Sequence, residues 1–476
     1  MSLQITMEKS TSGDSSSYQV TADLEWKDAD GKACRTNADN GNASLKLASG
    51  IGYLDHMLDQ LKSHAQLQLS VVVVRKKRSL DESSNGNGNG SSENNENENP
   101  NRLATHNQSD LLSAIGTQVG LQLRALLKNN PNARQESVFL CPLDEALVEC
   151  CITQTTEESA TTDADVKGRL DEYTLAPYGS FPKATGRKHI GQLETAAIEF
   201  FWRAVSESSG LVLKFQKHRG TNAHHIVESS FKAFSRALRK LLDSSDTFAI
   251  NSPNDNISRD MDRAGTVSRS TKETSIEVNL ALQPKSDDRP TTISTGIAFL
   301  DQFLQALADE ATLSLSVSCK GDLWVDEHHT AEDVSIAIGQ CLTHALGTKA
   351  GLNRMWVEAA SLGDAKVQVT MDLSNRPCWD HNFHALWEES EYIDSEKAGI
   401  TDAATPLTCE MMEHVLESLV MNSRMTAHFQ VLRAGKDLKE TMLCTAMAFG
   451  RALRVCAMVD ARRAGQTASS KGTLSA

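Results

Sequence analysis

The chain repeats itself, because a segment near its start recurs in its second half. SGIGYLDHMLDQLKSHAQLQLSV at 49–71 returns as TGIAFLDQFLQALADEATLSLSV at 295–317. The segments that follow also correspond in order: SDLLSAIGTQVG matches EDVSIAIGQCLT, and HHIVESSFKAFSRALRKL matches ETMLCTAMAFGRALRVCA. Self-similarity with a fixed order of elements is the signature of a duplicated fold. We therefore expect two related units in tandem.

The two copies divide the chain at a polar linker. Copy one is predicted at about 1–250, the linker at 251–263 and copy two at 264–476. Copy one is longer because of the polar tract SSNGNGNGSSENNENENP at 83–100, which has no apolar residue for a core and is predicted to be a disordered surface loop.

Strand-like and helix-like segments alternate within each copy. LQLSVVVV and LSLSVSC have the composition of strands, whereas FKAFSRALRKLL and EMMEHVLESLV have the apolar spacing of amphipathic helices. This alternation indicates an α+β fold in which sheets pack on helices. The order of elements also repeats inside a copy, so we expect four half-units in the chain.

Charge and cysteine content argue against several classes of function. The formal net charge of −14 and the pI near 5.5 disfavour a nucleic acid or an anionic membrane as the main partner. The ten cysteines form no CxxC pair, so a reducing compartment is expected. No apolar run approaches the roughly 20 residues of a membrane span, and the N-terminus lacks a secretion signal. We expect a cytoplasmic protein, or a plastid one if a transit peptide is missing or unrecognised.

Two segments carry adjacent histidines with a glutamate four residues after the first histidine. They are His224, His225 and Glu228 in NAHHIVESSFKAF, and His328, His329 and Glu332 in DEHHTAEDVSIAIG. Helix positions i and i+4 share a face, while i+1 points about 100° away. Each HHxxE motif therefore offers its first histidine and its glutamate to one metal and its second histidine to another.

Two such helices facing each other would form a two-metal site. Imidazole and carboxylate ligands suit Mn, Fe or Zn better than Mg or Ca. The alternative is a pair of solvated helix faces that happen to carry histidine. The metal interpretation is favoured because the spacing occurs twice, in segments with helical apolar periodicity.

These motifs, together with GIGYLDHMLDQ, CPLDEAL, SNRP and the terminal SSKGTL, resemble imidazoleglycerol-phosphate dehydratase of histidine biosynthesis, twice over. The resemblance implies that each copy is a pair of related βαβ-type halves (ribosomal protein S5 domain 2-like) and that the units assemble into a shell, here of about twelve tandem chains. It also implies active sites between subunits that hold two Mn²⁺ ions. The implied hydro-lyase reaction converts imidazole glycerol phosphate to imidazole acetol phosphate and water.

The metal ligands implied by this resemblance are divided between the copies. Copy one keeps His56, His224, His225 and Glu228, and copy two keeps His328, His329, Glu332 and His414. The matching positions are Gln302, Lys439, Glu440 and Leu443 in copy two, and Thr105, His106, Ser109 and Glu199 in copy one. Because no ligand position is lost from both copies, we expect one composite di-manganese site per chain. Random decay of a redundant, inactive protein would leave some positions empty in both.

The family pattern also assigns each ligand to a metal. One metal is expected to take His56, His329, His224 and Glu228, and the other His414, His225, His328 and Glu332. Whether these halves meet within one chain or between neighbouring chains is open at this point, as is any metal affinity of Gln302 and Glu199.

Substrate-binding residues are implied in the same way. Glu273 in TKETSI is the candidate acid/base, and copy one has Ser15 in its place. The implied phosphate-binding residues are Arg354 in GLNRMW, Arg376 in SNRP, and Ser469, Ser470 and Lys471 near the C-terminus, because arginine and lysine form charge-assisted bonds to phosphate. Copy two reads SLGDAK instead of a CPLDEAL-like turn, which leaves the geometry near Arg354 open.

Two other functions are considered. The chain could be a non-catalytic structural or regulatory subunit of a dehydratase shell, which predicts assembly without turnover. A two-metal hydrolase is less favoured because no third acid is placed to activate water. The remaining histidines are expected to be structural or exposed: His64, His189, His218, His344, His381, His384 and His428.

Overall fold

The computed structural model describes residues 5–7, 17–27, 33–35, 47–76, 108–155, 167–243, 263–282, 291–388, 390–393, 405–460, 463, 466–469 and 474. Several predicted features lie outside these ranges: the loop at 83–100, the linker up to residue 262, and Ser15, Thr105, His106, Ser470 and Lys471.

Nine helices lie in the described part of the chain. They are α1 (Gly52–Ala65), α2 (Gln108–Lys128), α3 (Ile198–Ser209), α4 (Ala223–Leu242), α5 (Ala298–Ala311), α6 (His328–Leu346), α7 (His384–Trp387), α8 (Cys409–Asn422) and α9 (Leu438–Cys456), with one 3₁₀ turn at Thr195–Ala197 before α3.

The strands of the described N-terminal half are β1 (Ile5–Met7), β2 (Ser17–Lys27), β3 (Ala33–Arg35), β4 (Leu47–Ala48), β5 (Leu67–Lys76), β6 (Glu136–Leu143), β7 (Ala146–Gln154), β8 (Arg169–Thr174), β9 (His189–Ile190), β10 (Leu193–Glu194) and β11 (Leu211–Arg219). Those of the C-terminal half are β12 (Ala264–Ser270), β13 (Thr274–Leu282), β14 (Thr292–Ser294), β15 (Leu313–Gly321), β16 (Met355–Leu362), β17 (Ala365–Asp372), β18 (Cys378–Asp380) and β19 (Thr426–Arg433).

Four sheets share one strand order. They are β1-β2-β5-β4, β6-β7-β11-β8, β12-β13-β15-β14 and β16-β17-β19-β18, with β3 beside β2 and a separate ribbon of β9 and β10. In each sheet the last two strands are parallel, as a helical crossover between them requires. That crossover contains α1, α3, α5 or α8, and α2, α4, α6 or α9 follows the sheet. The expected α+β fold of four related halves is thus confirmed.

Strand β13 illustrates why these sheets bury one face. Along TSIEVNLAL, Thr274, Ile276, Val278, Leu280 and Leu282 are buried and the residues between them are mostly exposed. Alternation of this kind is typical of an antiparallel sheet that packs against helices on one side. Strands β12 and β13 pack against α6, so the helix that carries the second HHxxE motif is fixed by the sheet before it.

The chain divides into two compact units. Unit 1 contains 1–139, 149–217 and 221–244, and unit 2 contains 140–148, 218–220 and 245–476. Unit 1 has an aromatic core in which Trp202 lies 4.6 Å from Phe215, 4.6 Å from Phe231 and 4.8 Å from Phe234, measured between ring centroids. Unit 2 has a continuous hydrophobic core that runs through both of its sheets.

The helices pack in crossed pairs. In unit 1, α1 packs on α4 and α3 on α2; in unit 2, α5 packs on α9 and α8 on α6. Each pair joins the crossover helix of one half to the final helix of the other. Three of these pairs have a glycine at the contact: a Cβ on Gly339 of α6 would lie 2.7 Å from the Cβ of Asn422, and one on Gly450 of α9 would lie 2.5 Å from the carbonyl oxygen of Leu307. The crossed pairing brings one histidine of a crossover helix beside one HHxxE motif.

Among the described helices, none combines the length and hydropathy needed to cross a bilayer.

Candidate metal centres

The first candidate centre is formed by His56 on α1 and His224 and Glu228 on α4, all in unit 1. Oε2 of Glu228 lies 3.1 Å from Nε2 of His224 and 3.7 Å from Nε2 of His56. One donor atom from each residue lies within 4.8 Å of the other two. His224 and Glu228 share a helix face because they are four residues apart.

The carboxylate of Glu228 is held ionised. Burial alone would raise its pKa, but Lys232 and hydrogen bonds from His224 and His56 outweigh burial and keep the pKa of Glu228 well below its ordinary value. Nζ of Lys232 lies 2.7 Å from Oε1, so the carboxylate presents its other oxygen to the histidines. Tyr53 donates its hydroxyl hydrogen to the carbonyl oxygen of His224 at 3.1 Å, which fixes the first turn of α4.

The second candidate centre has the same composition and lies in unit 2. It contains His328 and Glu332 on α6 and His414 on α8. Nε2 of His414 lies 3.1 Å from Oε1 of Glu332, and Nε2 of His328 lies 3.8 Å from Oε2. A cavity of about 710 Å³ opens beside it, lined in part by His328, His414 and Trp387.

Both centres fit a divalent metal ion. Imidazole nitrogens bind Zn²⁺ at about 2.0–2.1 Å, and carboxylate oxygens at about 2.0–2.2 Å. Two donors that share one metal at these bond lengths would lie about 3 to 4 Å apart, and the histidine-to-glutamate separations of 3.1, 3.7, 3.1 and 3.8 Å in the two groups fall in this range. Two imidazoles and one carboxylate suit a first-row transition metal.

The second histidine of each motif lies outside these groups. His225 and His329 belong to neither cluster of three donors. Nδ1 of His329 lies 3.1 Å from Oδ2 of Asp322. Because a carboxylate accepts, the ring proton is on Nδ1 and the lone pair of His329 is on Nε2, which lies 3.8 Å from Oε1 of Glu273. In its neutral form, His329 has Nε2 available as a metal donor.

The structure brings together three of the four ligands expected for each metal, in the expected combinations. It places His56 with His224 and Glu228, and His414 with His328 and Glu332. The completion of these groups by His329 and His225 stays a prediction.

The positions that lost their ligands have other interactions. Glu199 on α3 pairs with Arg203 one turn later, at 2.7 Å. Glu440 on α9 accepts hydrogen bonds from the backbone N–H groups of Asp364, at 2.7 Å, and Ala365, at 3.3 Å. Gln302 is exposed on α5. Glu199 and Glu440 therefore have structural partners in place of a metal.

A third cluster, His381, His384 and Glu413 in unit 2, was not predicted as a site. The backbone N–H of Phe383 donates to Nδ1 of His381 at 3.1 Å, so the ring proton is on Nε2, which lies 3.4 Å from Glu413. Trp387 also donates to this carboxylate. A neutral His381 with one nitrogen accepting and the other donating has no lone pair for a metal, so this cluster is a hydrogen-bonded network.

The residues predicted to contact substrate occupy different environments in unit 2. Glu273 is exposed in the turn before β13, beside His329. Arg376 is partly exposed, and its Nε lies 3.0 Å from Oδ1 of Asp144. Arg354 is buried in an ion pair with Asp372. Ser469 is partly buried.

Sequence reasoning missed Lys232 and Asp322. Lys232 is 3% exposed and binds the metal-centre residue Glu228. Its position four residues after Glu228 in HHIVESSFK is a signal that could have found it. Asp322 lies seven residues before His329 and outside α6. The spacing of residues along a helix therefore could not have predicted this contact.

Comparisons with known proteins give a consistent result. The family model of imidazoleglycerol-phosphate dehydratase matches residues 105–238 and 295–453. The chain is 38% identical over 213 residues to "Imidazoleglycerol-phosphate dehydratase, chloroplastic" of Pisum sativum; the alignment covers 45% of this chain and 69% of that protein. It is also 37% identical over 212 residues to the dehydratase of Gloeobacter violaceus, and this alignment covers 44% of this chain and 98% of that protein.

A crystal structure of the Staphylococcus aureus dehydratase is 26% identical, with a TM-score of 0.33; the match covers 41% of this chain and 99% of that one. The two separate regions matched by the family model confirm the tandem duplication.

Proposed function

The chain belongs to the imidazoleglycerol-phosphate dehydratase family, and on that premise we propose that it removes water from imidazole glycerol phosphate at one composite di-manganese site per chain. The family consists of metal-dependent hydro-lyases of histidine biosynthesis, and it is oligomeric. The observation that carries the proposal is the pair of three-donor groups around Glu228 and Glu332, each built from a crossover helix and an HHxxE helix.

Each group needs one more ligand, and the second histidines supply it. His329 completes the group of His56, His224 and Glu228, and His225 completes the group of His328, Glu332 and His414. Helix geometry supports this, because the second histidine of a motif points away from the metal held by its own helix. The fourth ligand therefore comes from another HHxxE helix, in the same chain or in a neighbouring chain of a shell of about twelve.

Held by these two groups, the metals would supply Lewis-acid catalysis and would orient the imidazole ring of the substrate. The protein must then move protons. Glu273 is the proposed acid/base: it takes the proton from the substrate carbon and passes it to the leaving hydroxyl, which departs as water. The resulting enol becomes the ketone when one proton moves from its oxygen to carbon. Thr271 accepts a hydrogen bond from the backbone N–H of Glu273 at 3.1 Å, which orders the turn that presents this carboxylate.

The phosphate end of the substrate requires cations and hydroxyl groups. Arg376 is suited because its guanidinium is partly exposed and pairs with Asp144, a contact that a phosphate can replace. Ser469, Ser470 and Lys471 are the proposed partners of Arg376 at this end.

The direct test is steady-state dehydration of imidazole glycerol phosphate by the purified chain alone, before and after chelator treatment and after Mn²⁺ is added back. We expect turnover that is lost on chelation and restored by Mn²⁺. His328→Ala should reduce turnover by at least about 100-fold, while Lys439→Ala, at the position of copy two that corresponds to His224, should leave it unchanged. Metal binding without turnover would support the structural-subunit alternative instead.

A further inference from the structure

The turn between β12 and β13 presents the exposed side chain of Glu273 in unit 2. The N–H of Thr271 donates to the carbonyl oxygen of Thr274 at 2.8 Å. The hydroxyl oxygen of Thr271 accepts from the N–H groups of Glu273, at 3.1 Å, and Thr274, at 2.9 Å. All three bonds are internal to the turn, so they fix its shape but not its position relative to the proposed metal ligands.

Asp333 on α6 ties both ends of this turn to the helix. Its Oδ2 accepts from the hydroxyl of Thr274 at 2.6 Å and from Nη1 of Arg269 at 2.5 Å. Arg269 lies at the end of β12 and Thr274 begins β13, so one carboxylate oxygen joins the two strands. Thr274 and Asp333 are only 3% and 5% exposed. A buried, charge-assisted contact of this kind holds its partners more firmly than a surface ion pair does.

Asp333 lies on the face of α6 that carries the second histidine of the motif. His329 is four residues before Asp333, so the two share a helix face, as His328 and Glu332 share the neighbouring one. Nε2 of His329 lies 3.8 Å from Oε1 of Glu273. One face of α6 thus brings His329 to the carboxylate of Glu273 and brings Asp333 to the ends of the turn that carries it.

Copy one keeps the aspartate without the glutamate. In the matched segments SDLLSAIGTQVG and EDVSIAIGQCLT, Asp110 corresponds to Asp333, while Ser15 stands where copy two has Glu273. Asp110 is exposed in the first turn of α2. The aspartate is therefore buried in the copy that has the candidate acid/base and exposed in the copy that lacks it.

A general acid/base must lie within hydrogen-bond reach of the atom that gains or loses the proton, and a displacement of about 1 Å can cost about 100-fold in rate. We infer that Asp333 is a positioning residue: it holds the turn between β12 and β13 on α6, and it thereby sets the position of the Glu273 carboxylate beside His329. This inference rests on the proposed function, since it assigns Asp333 a role in that same reaction.

The test is Asp333→Ala, which removes this anchor and keeps every proposed metal ligand. We expect faster amide hydrogen exchange in 271–274 of the metal-free chain, a kcat about 10- to 100-fold lower, and little change in KM or in the Mn²⁺ bound per chain. A residue that only stabilised α6 would instead lower the bound Mn²⁺, because His328 and Glu332 lie on the same helix. The matched control is Asp110→Ala, which should change none of these quantities.

Thr274→Val tests the same link with the buried carboxylate left in place. Valine is close to threonine in volume but lacks the hydroxyl that donates to Asp333. We expect faster exchange in 271–274 and a kcat about three- to tenfold lower, because only one of the two contacts to Asp333 is lost. The bound Mn²⁺ should again be unchanged.

Three results would overturn the inference. Wild-type exchange in 271–274 in both variants would show that the turn keeps its place without Asp333. Faster exchange with an unchanged kcat would show that the position of the turn does not affect turnover. A parallel loss of bound Mn²⁺ and kcat in both variants would make Asp333 a structural residue of α6.

Absence of turnover in the wild-type chain would overturn the proposed function instead. The exchange rates of 271–274 in Asp333→Ala and Asp110→Ala would still decide whether Asp333 holds the turn.

Discussion

Nδ1 of His329 lies 3.1 Å from Oδ2 of Asp322, and this contact decides which nitrogen of the ring can bind a metal. The hydrogen bond from His329 to Asp322 raises the pKa of the imidazole. In the neutral imidazole it also places the ring proton on Nδ1, so that Nε2 carries the lone pair. Carboxylates that orient a histidine in this way are typical partners of metal ligands.

Replacing Asp322 with asparagine should weaken the metal centre that uses His329. The neutral amide no longer selects the Nδ1–H tautomer as strongly, so we expect the affinity of that centre for Mn²⁺ to fall about 10- to 100-fold. Isothermal titration of the metal-free protein with Mn²⁺ measures this. Asp309→Asn on α5, where the carboxylate accepts from Gln305, is the control and should leave the titration unchanged. Equal affinities in wild type and Asp322→Asn would show that His329 binds no metal.

The division of ligands between the copies predicts different effects at matching positions. His414→Ala leaves its group with two donors, so bound Mn²⁺ should fall from about two to about one per chain, and turnover by at least about 100-fold. Glu199→Ala changes the corresponding position of copy one, where the glutamate pairs with Arg203, and should affect neither. Metal analysis of the two purified variants provides the comparison. Loss of metal in Glu199→Ala would contradict the division.

Close packing of α6 on α8 holds His328 and Glu332 against His414, and Gly339 permits it. A Cβ at position 339 would lie 2.7 Å from the Cβ of Asn422 and 3.0 Å from the carbonyl oxygen of Leu419. We expect Gly339→Ala to lower the free energy of unfolding by about 1–3 kcal/mol and to weaken Mn²⁺ binding as α8 moves away.

Urea denaturation with and without Mn²⁺ checks this prediction. The control is Gly52→Ala, where an added Cβ meets no atom within 4 Å. Unchanged stability in Gly339→Ala would mean that the two helices can separate at little cost.

Stability should depend on pH through His428, which is buried in unit 2. Nε2 of His428 donates to the carbonyl oxygen of Asp144 at 2.8 Å, and Nδ1 lies 3.3 Å from Nη1 of Arg219, with the carboxylates of Asp380 and Glu145 nearby. Burial lowers the pKa of His428 from 6.5 to about 4. The unfolded chain therefore takes up this proton more readily, and stability that is present above about pH 6.5 is lost as the pH falls toward 4.

The expected loss is up to about 3 kcal/mol in the free energy of unfolding, because each pKa unit corresponds to about 1.4 kcal/mol. Denaturation at pH 7.5 and at pH 4.5 measures it. His428→Gln should show a smaller difference between these pH values than the wild type, whereas His344→Gln, at an exposed position on α6, should not. The same pH difference in His428→Gln would assign the effect to other groups.

Local patterns predicted much of the fold. The repeat predicted the duplication, and the alternation of strand-like segments such as LSLSVSC, now β15, with helix-like segments predicted the α+β class. The i and i+4 spacing predicted that His224 would face Glu228, and His328 would face Glu332. By contrast, the pairing of His56 with α4 and of His414 with α6 followed only from the resemblance to the family. Which helices pack together across the two halves depends on the order of strands in the sheets, and the spacing of residues along one helix does not reveal it.

Contacts between distant segments were not predictable from spacing. The sequence does not indicate that Asp322 selects the tautomer of His329, that Glu440 binds backbone N–H groups, or that Arg354 is buried against Asp372. The copy boundaries, the cytoplasmic location and the roles of the substrate-binding residues remain predictions.

The most direct test of one composite site per chain is the rate of dehydration as Mn²⁺ is titrated into the metal-free protein at a known chain concentration well above the dissociation constant. The rate should rise until about two Mn²⁺ are bound per chain and then stay constant. A rate that continues to rise to about four Mn²⁺ per chain would contradict the account, because both copies would then support complete sites.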